Sequence, residues 1–145
     1  MKHNSIICVD AGPVIQLVAF PDNTLIQDIW DAWDREKQKI VAPTLLYYEV
    51  TNVLYRYQSQ CLLRQETVST ALLAVLSLPI ELVGDADLHL HAKELAVKYH
   101  LPAAYDAHYM ALTERLGGEL WTTDKRLENI LRPMGIESLK CLRVD

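Results

Sequence analysis

Four acidic residues stand out for the chemistry they could do together: Asp10, Glu49, Asp106 and Asp124. Successive gaps of 39, 57 and 18 residues separate them, so only tertiary folding can make them meet. Two carboxylates about 4 Å apart repel by roughly 4 kcal/mol at an effective dielectric of 20. Four in one place call for a divalent cation, and hard oxygen ligands without a nearby His or Cys set favour Mg²⁺ or Mn²⁺ over zinc.

Taken singly, each acid also has a plainer explanation. Glu49 shares a helix side with Leu45 and Val53, where a charge is costly unless it meets a cation, a donor or water. Snorkelling outward or pairing with an Arg would satisfy it equally. Asp10 ends an apolar run, and acids there accept hydrogen bonds from the following turn. Gly12 and Pro13 are nonetheless expected to take the cap and first helical positions, which would free Asp10 from capping. Asp106 falls in the first turn of a helix, where the macrodipole favours it. Asp124 follows two threonines at a helix start and fits an N-cap.

The elements that must position these acids alternate between strand and helix. Ser5–Asp10 reads as a buried strand, followed by a helix from Pro13 to about Phe20. Leu25, Ile26, Ile29, Trp30 and Trp33 recur at helical spacing, and Lys39–Ala42 is a second strand closed by Pro43. A helix runs from Thr44 to about Ser59, and another carries Val68, Ala71, Leu72, Val75 and Leu76. Ile80–Val83 is a third strand, after which Gly84-Asp85 opens a helix with Leu88, Ala92, Leu95, Ala96 and Tyr99 inward. A further helix spans roughly Ala103–Leu116 and ends at Gly117-Gly118. Glu119–Thr122 is the fourth strand, Thr123-Asp124 caps a short helix ended by Pro133, and Ile136–Val144 is the candidate fifth. This pattern predicts one α/β domain over residues 1–145, with a central, mainly parallel sheet of four to five strands flanked by helices. In such sheets ligands sit beyond the carboxyl ends of the strands, where Asp10 and Asp124 fall.

One domain accounts for all 145 residues, half of them apolar. No apolar run is long enough to span a bilayer, and Lys2 is followed only by Ile6–Val9 before Asp10 intervenes, so neither a membrane helix nor a signal peptide is expected. Cys8, Cys61 and Cys141 are widely spaced and odd in number, which fits a reducing cytoplasm. A net charge of −5 looks wrong for a nucleic-acid binder. Once four carboxylates are assigned to a metal, however, the remaining scaffold is nearly neutral.

The segments V-D-A-G-P-V-I (9–15), A-P-T-L-L-Y-Y-E-V-T-N-V-L (42–54), L-P-A-A-Y-D-A-H-Y-M-A-L (101–112) and L-W-T-T-D-K-R-L (120–127) together resemble the PIN-domain ribonucleases of the VapC toxin type. Each motif alone is weak, but their order, spacing and extent agree along nearly the whole chain. The resemblance implies an acidic pocket holding Mg²⁺ or Mn²⁺ and endonucleolytic cleavage of single-stranded or loop RNA. Asp10, Glu49, Asp106 and Asp124 match the family's acidic quartet, with Asp10, Asp106 and Asp124 as metal ligands and Glu49 as base or positioning group. Asn52 matches a recurrent Asn that holds the Glu or lines the pocket, and Thr122 or Thr123 matches the hydroxyl residue before the last acid. The resemblance further implies a homodimer restrained by a small antitoxin that lays apolar side chains into a groove near the acids.

The chain departs from the family at Ala11-Gly12, where a hydroxyl or amide side chain is common; a backbone N–H of Gly12 is the available substitute. His108, two residues after Asp106, does not share its helix face and reads as a surface or interface residue. Lys125 and Arg126 either meet RNA phosphates or are ordinary solvated residues. Tyr47, Tyr48, Tyr105 and Tyr109 either stack on unpaired bases or simply pack. Trp30 and Trp33, with the Tyr-rich 47–57 helix, either form a groove or dimer seam or belong to the core. Two other functional classes fit a domain of this kind. One is a phospho-acceptor receiver module, with Val83-Gly84-Asp85 as a faint third-strand match but no paired acids at Asp10-Ala11. The other is a nuclease-like fold kept only as a binding scaffold.

Overall fold

Five short apolar segments form the sheet, and each is brief because helices flank it. The computed structural model describes residues 5–144. The strands are β1 (Ile6–Val9), β2 (Lys39–Pro43), β3 (Ile80–Val83), β4 (Glu119–Thr122) and β5 (Leu139–Cys141). They lie in the order β3-β2-β1-β4-β5, and every neighbouring pair is parallel. The expected sheet is therefore present with all five strands, wholly rather than mainly parallel.

The helices are α1 (Ala11–Ala19), α2 (Thr24–Arg35), α3 (Leu45–Ser59), α4 (Gln65–Leu76), α5 (Ala86–Lys98), α6 (Tyr105–Leu116) and α7 (Lys125–Leu131). Helix α3 buries Leu46, Val50 and Leu54, a stripe at i, i+4 and i+8. Helix α6 buries Ala107, Tyr109, Met110, Ala111, Leu112 and Thr113 and packs on β1, β2 and β4. Gly117, left-handed at φ 66°, ends it as a Schellman-type stop would. Trp30 and Trp33 are buried, and edge-to-face contacts run from Trp30 to Trp33 (5.0 Å) and on to Trp121 (5.3 Å). Of the two expectations for these tryptophans, the core is the one realised, because an amphipathic helix turns its apolar stripe onto the sheet.

Two local expectations require correction. Helix α1 begins at Ala11, with Asp10 itself as the N-cap, so Pro13 is the third helical residue instead of the first. Proline fits there because the first four N–H groups of a helix have no partner within it. At the other end of the chain, Pro133 does not simply stop α7. It lies inside a 3₁₀ turn, Arg132–Met134, that continues from Leu131 and closes at left-handed Gly135.

The chain leaves β1 toward β2 and β3 on one side and reaches β4 and β5 on the other. The direction of winding reverses between β1 and β4, and at such a switch point a crevice opens beyond the strand ends. Asp10 directly follows β1, and Asp124 lies two residues after β4.

Candidate active site

Asp10 sits at that crevice with both carboxylate oxygens engaged. Oδ1 accepts from the Ala11 N–H at 2.7 Å, and Oδ2 accepts from the Thr122 hydroxyl at 2.9 Å. Thr122 is fully buried, and its oxygen also accepts from the Asp124 N–H at 3.0 Å. One hydroxyl thus joins the turn after β1 to the turn after β4. Asp124 caps α7 by accepting from Arg126 N–H (2.9 Å) and Leu127 N–H (3.3 Å). Both capping bonds fall on Oδ1, while Oδ2 faces the exposed Arg126 guanidinium at 3.5 Å.

Glu49 arrives from α3, between buried Leu46 and Val50. Its partner is neither an Arg nor Asn52. The Tyr109 hydroxyl donates to Glu49 Oε1 at 2.5 Å, and Tyr109 is buried to 1% exposure. Asn52 is exposed one turn further along and makes no hydrogen bond to Glu49 among the described residues; it borders a shallow surface with Tyr47, Tyr48, Thr51 and Tyr55. Asp106 enters from the first turn of α6, where no side chain caps the helix.

The four acids feel one another. Burial pushes the Asp10 carboxyl up to about 7, and repulsion from Asp106 and Glu49 adds to the rise against the Ala11 and Thr122 bonds. Burial likewise raises Glu49, with Asp106 adding to it while the Tyr109 bond and His108 oppose it. Asp106 is raised by burial and by Asp124, and Arg126 opposes the shift. The Arg126 guanidinium lies 3.5 Å from Asp124 and 4.0 Å from Asp106, yet is two-thirds exposed. Cys8, below the site, has its thiol pushed up to about 12 by burial, which makes it packing and not a nucleophile.

Raised carboxyl pKa values in a crevice mark a place that would favour a cation. The donor set is all oxygen and suits Mg²⁺ or Mn²⁺. Among the described residues no three His, Cys, Asp or Glu side chains form a ready-made cage.

Gly12 explains the departure after the first acid. A Cβ built there would lie 1.9 Å from Thr123 Oγ1 and 3.0 Å from Thr123 Cβ. The start of α1 and the turn after β4 are therefore in close contact, which only glycine permits. It is the Ala11 N–H, not that of Gly12, that serves Asp10.

His108 is half-buried beside the acids. Its Nδ1 lies 2.7 Å from the Ala104 carbonyl, which can only accept, so Nδ1 carries the proton. Nε2 lies 2.9 Å from His89 Nδ1. An apolar groove runs alongside, lined by Pro43, Leu45, Tyr48, Leu88, Tyr105 and His108. Tyr48 (76% exposed) and Tyr105 (63%) present free ring surface, whereas Tyr109 is core.

The model of the family described as PIN domain matches residues 7–132. The chain belongs to the PIN domain family. A PIN relative, Ribonuclease VapC3 of Pyrobaculum aerophilum, is 33% identical over 94 residues, covering 63% of this chain and 71% of its own length. The crystal structure of PAE2754 from the same organism superposes with a TM-score of 0.64 at 26% identity, covering 90% of this chain and 87% of that one. A toxin–antitoxin complex from Klebsiella pneumoniae gives 0.68 at 16% identity, with 95% and 99% covered. VapBC2 from Rickettsia felis, bound to a DNA fragment from its promoter, gives 0.69 at 12% identity, with 97% and 99% covered. These last two likenesses bear on the fold alone.

PIN membership and strand order remove the receiver alternative. Receiver domains have the order 2-1-3-4-5, which the order β3-β2-β1-β4-β5 does not match. Asp85, the faint phospho-acceptor match, caps α5 through the Leu88 N–H and is held by both Arg115 nitrogens at 2.7 and 3.0 Å.

Proposed function

We propose that this chain is a divalent-metal-dependent endoribonuclease that cuts single-stranded or loop RNA, acting as the toxin of an antitoxin-controlled pair. The observation that carries this reading is the gathering of acids at the switch point of a PIN-family sheet, where Asp10 feels Asp106 and Glu49, Glu49 feels Asp106, and Asp106 feels Asp124. Asp10, Asp106 and Asp124 would hold Mg²⁺ or Mn²⁺, and Glu49 is the base or positioning group. Bound there, the ion would supply a water of lowered pKa and offset charge developing on the phosphate.

The chain's own residues set the rest. Thr122 and the Ala11 N–H fix the Asp10 carboxylate, so its ordering cost is met before substrate arrives. With Oε1 taken by the Tyr109 hydroxyl, the other Glu49 oxygen would accept a water proton. Arg126 and Lys125 lie at the exposed rim where a phosphate would approach. Tyr48 and Tyr105 offer stacking surface for unpaired bases. Products with a 5′-phosphate and a 3′-hydroxyl follow from the family pattern.

The family pattern implies an antitoxin partner and a homodimer. Among the described residues no helix is long and apolar enough to cross a membrane. The test is incubation of partner-free protein with structured RNA in Mg²⁺, Mn²⁺ or chelator, beside Asp106→Asn. Metal-dependent cleavage that disappears in the variant is expected. RNA or protein binding without any cleavage would replace the enzyme with a binding scaffold.

A further inference from the structure

Helices α3 and α6 deliver Glu49 and Asp106 to the site, and apart from β2 their main neighbours differ. Helix α3 packs against α1, α4 and β2, while α6 packs against α5, β1, β2 and β4. Among the described residues the one side-chain hydrogen bond joining α3 to α6 is that from Tyr109 to Glu49. Tyr109 lies three residues after Asp106, on the same side of α6. The turn that presents Asp106 therefore also grips Glu49.

Tyr109 is well suited to hold a carboxylate without reacting. Burial and the surrounding acids drive its phenol far above the ordinary tyrosine range, so the hydroxyl remains a donor. Its backbone is pinned as well: the carbonyl accepts from the Thr113 hydroxyl at 2.7 Å and from the Cys8 thiol at 3.7 Å. A buried phenol that donates one bond must aim it at one acceptor. With Oε1 occupied, Glu49 offers a single oxygen to solvent and substrate, in one rotamer.

We infer that Tyr109 is a positioning residue, which holds Glu49 in its working orientation relative to Asp106 across the gap between α3 and α6. The kinetic arm of this inference rests on the ribonuclease reading above, whereas the geometric arm does not. Tyr109 acts through Glu49.

The test is Tyr109→Phe, which keeps the ring and removes one oxygen. With an unstructured RNA oligonucleotide and Mn²⁺, kcat is expected to fall roughly 10- to 100-fold, the range found when outer-shell partners are removed, with KM within twofold. In the Glu49→Gln background the same change should cost nothing further. Independently of activity, protein labelled with ¹³C at the glutamate carboxyl carbons should show the Glu49 resonance, assigned by its loss in Glu49→Gln, moving in Tyr109→Phe. An unmoved resonance overturns the inference whatever the rate. So does a moved resonance with kcat within threefold of wild type, or an equal cost in both backgrounds. If wild-type protein cleaves no RNA with either metal, the ribonuclease reading fails, and the resonance alone decides whether Tyr109 positions Glu49.

Discussion

The Thr122 hydroxyl donates to Asp10 Oδ2 at 2.9 Å across 112 residues of sequence, and the same oxygen accepts the Asp124 N–H at 3.0 Å. The first and last acids of the site are thus tied through one buried side chain. Their separation is set by the β1–β4 ladder, in which Cys8 pairs with Leu120 and Val9 with Trp121. The parallel register brings the two turns level, and Thr122 locks them.

Thr122→Val should therefore unfold at lower urea than wild type, by about 1–3 kcal/mol, because the near-isosteric change strands the Asp124 N–H and releases an Asp10 oxygen in a buried place. Thr122→Ser retains the hydroxyl and should keep its activity, losing only the packing of one methyl, about 1 kcal/mol. Equal losses of cleavage in the two variants would deny the hydroxyl its part.

Gly12→Ala should damage both stability and activity. A Cβ 1.9 Å from Thr123 Oγ1, with Thr123 Cβ at 3.0 Å, cannot be relieved by rotating the threonine alone. The turn after β4 must move away from α1, carrying Asp124 from Asp10, at a cost of about 1–3 kcal/mol for such overpacking. Thr123→Ala in the same chain should recover part of the loss, read as a coupling in denaturant unfolding. Simple additivity would show that the two sites do not meet in solution.

Much of this was legible in the sequence, for identifiable reasons. Strands β1 to β4 are apolar runs with turn residues at their ends, and three of the four acids stand at a strand end or helix start, where local pattern marks them. Strand order was not legible, because no local feature states which strand neighbours which. The role of Tyr109 was hidden for a related reason: its partner Glu49 lies 60 residues away, although its i+3 spacing from Asp106 was a usable sign. Asp10 as a cap was missed because Gly12-Pro13 imitates a helix start. The close approach of Gly12 to Thr123 is a contact between distant turns that composition cannot announce.

The Asp10 carboxyl also sets a pH dependence for the metal-free protein. Its folded-state pKa is raised from 3.8 to about 7, so between those values the folded protein retains a proton that the unfolded chain has released. Stability from this group is fully present below about 4 and is lost as pH rises through about 7. A shift of this size corresponds to at most about 4 kcal/mol, at 1.36 kcal/mol per pKa unit, and the half-buried side chain will realise less. In chelator, Asp10→Asn should gain stability over wild type at pH 8 and show a smaller advantage at pH 5, measured by denaturant midpoints. An advantage that does not grow with pH would mean that Asp10 is not the strained carboxyl.

Arg126 separates the stability of the site from its grip on RNA. The guanidinium leans over Asp106 and Asp124 but is two-thirds exposed, and exposed ion pairs contribute little, about 0–1 kcal/mol. Arg126→Ala should consequently leave the unfolding midpoint nearly unchanged. If the side chain meets a phosphate, KM for RNA should rise several-fold with kcat preserved, and the slope of log affinity against log salt should become shallower by about 1. A fall in kcat at constant KM would instead assign Arg126 to the acids it covers.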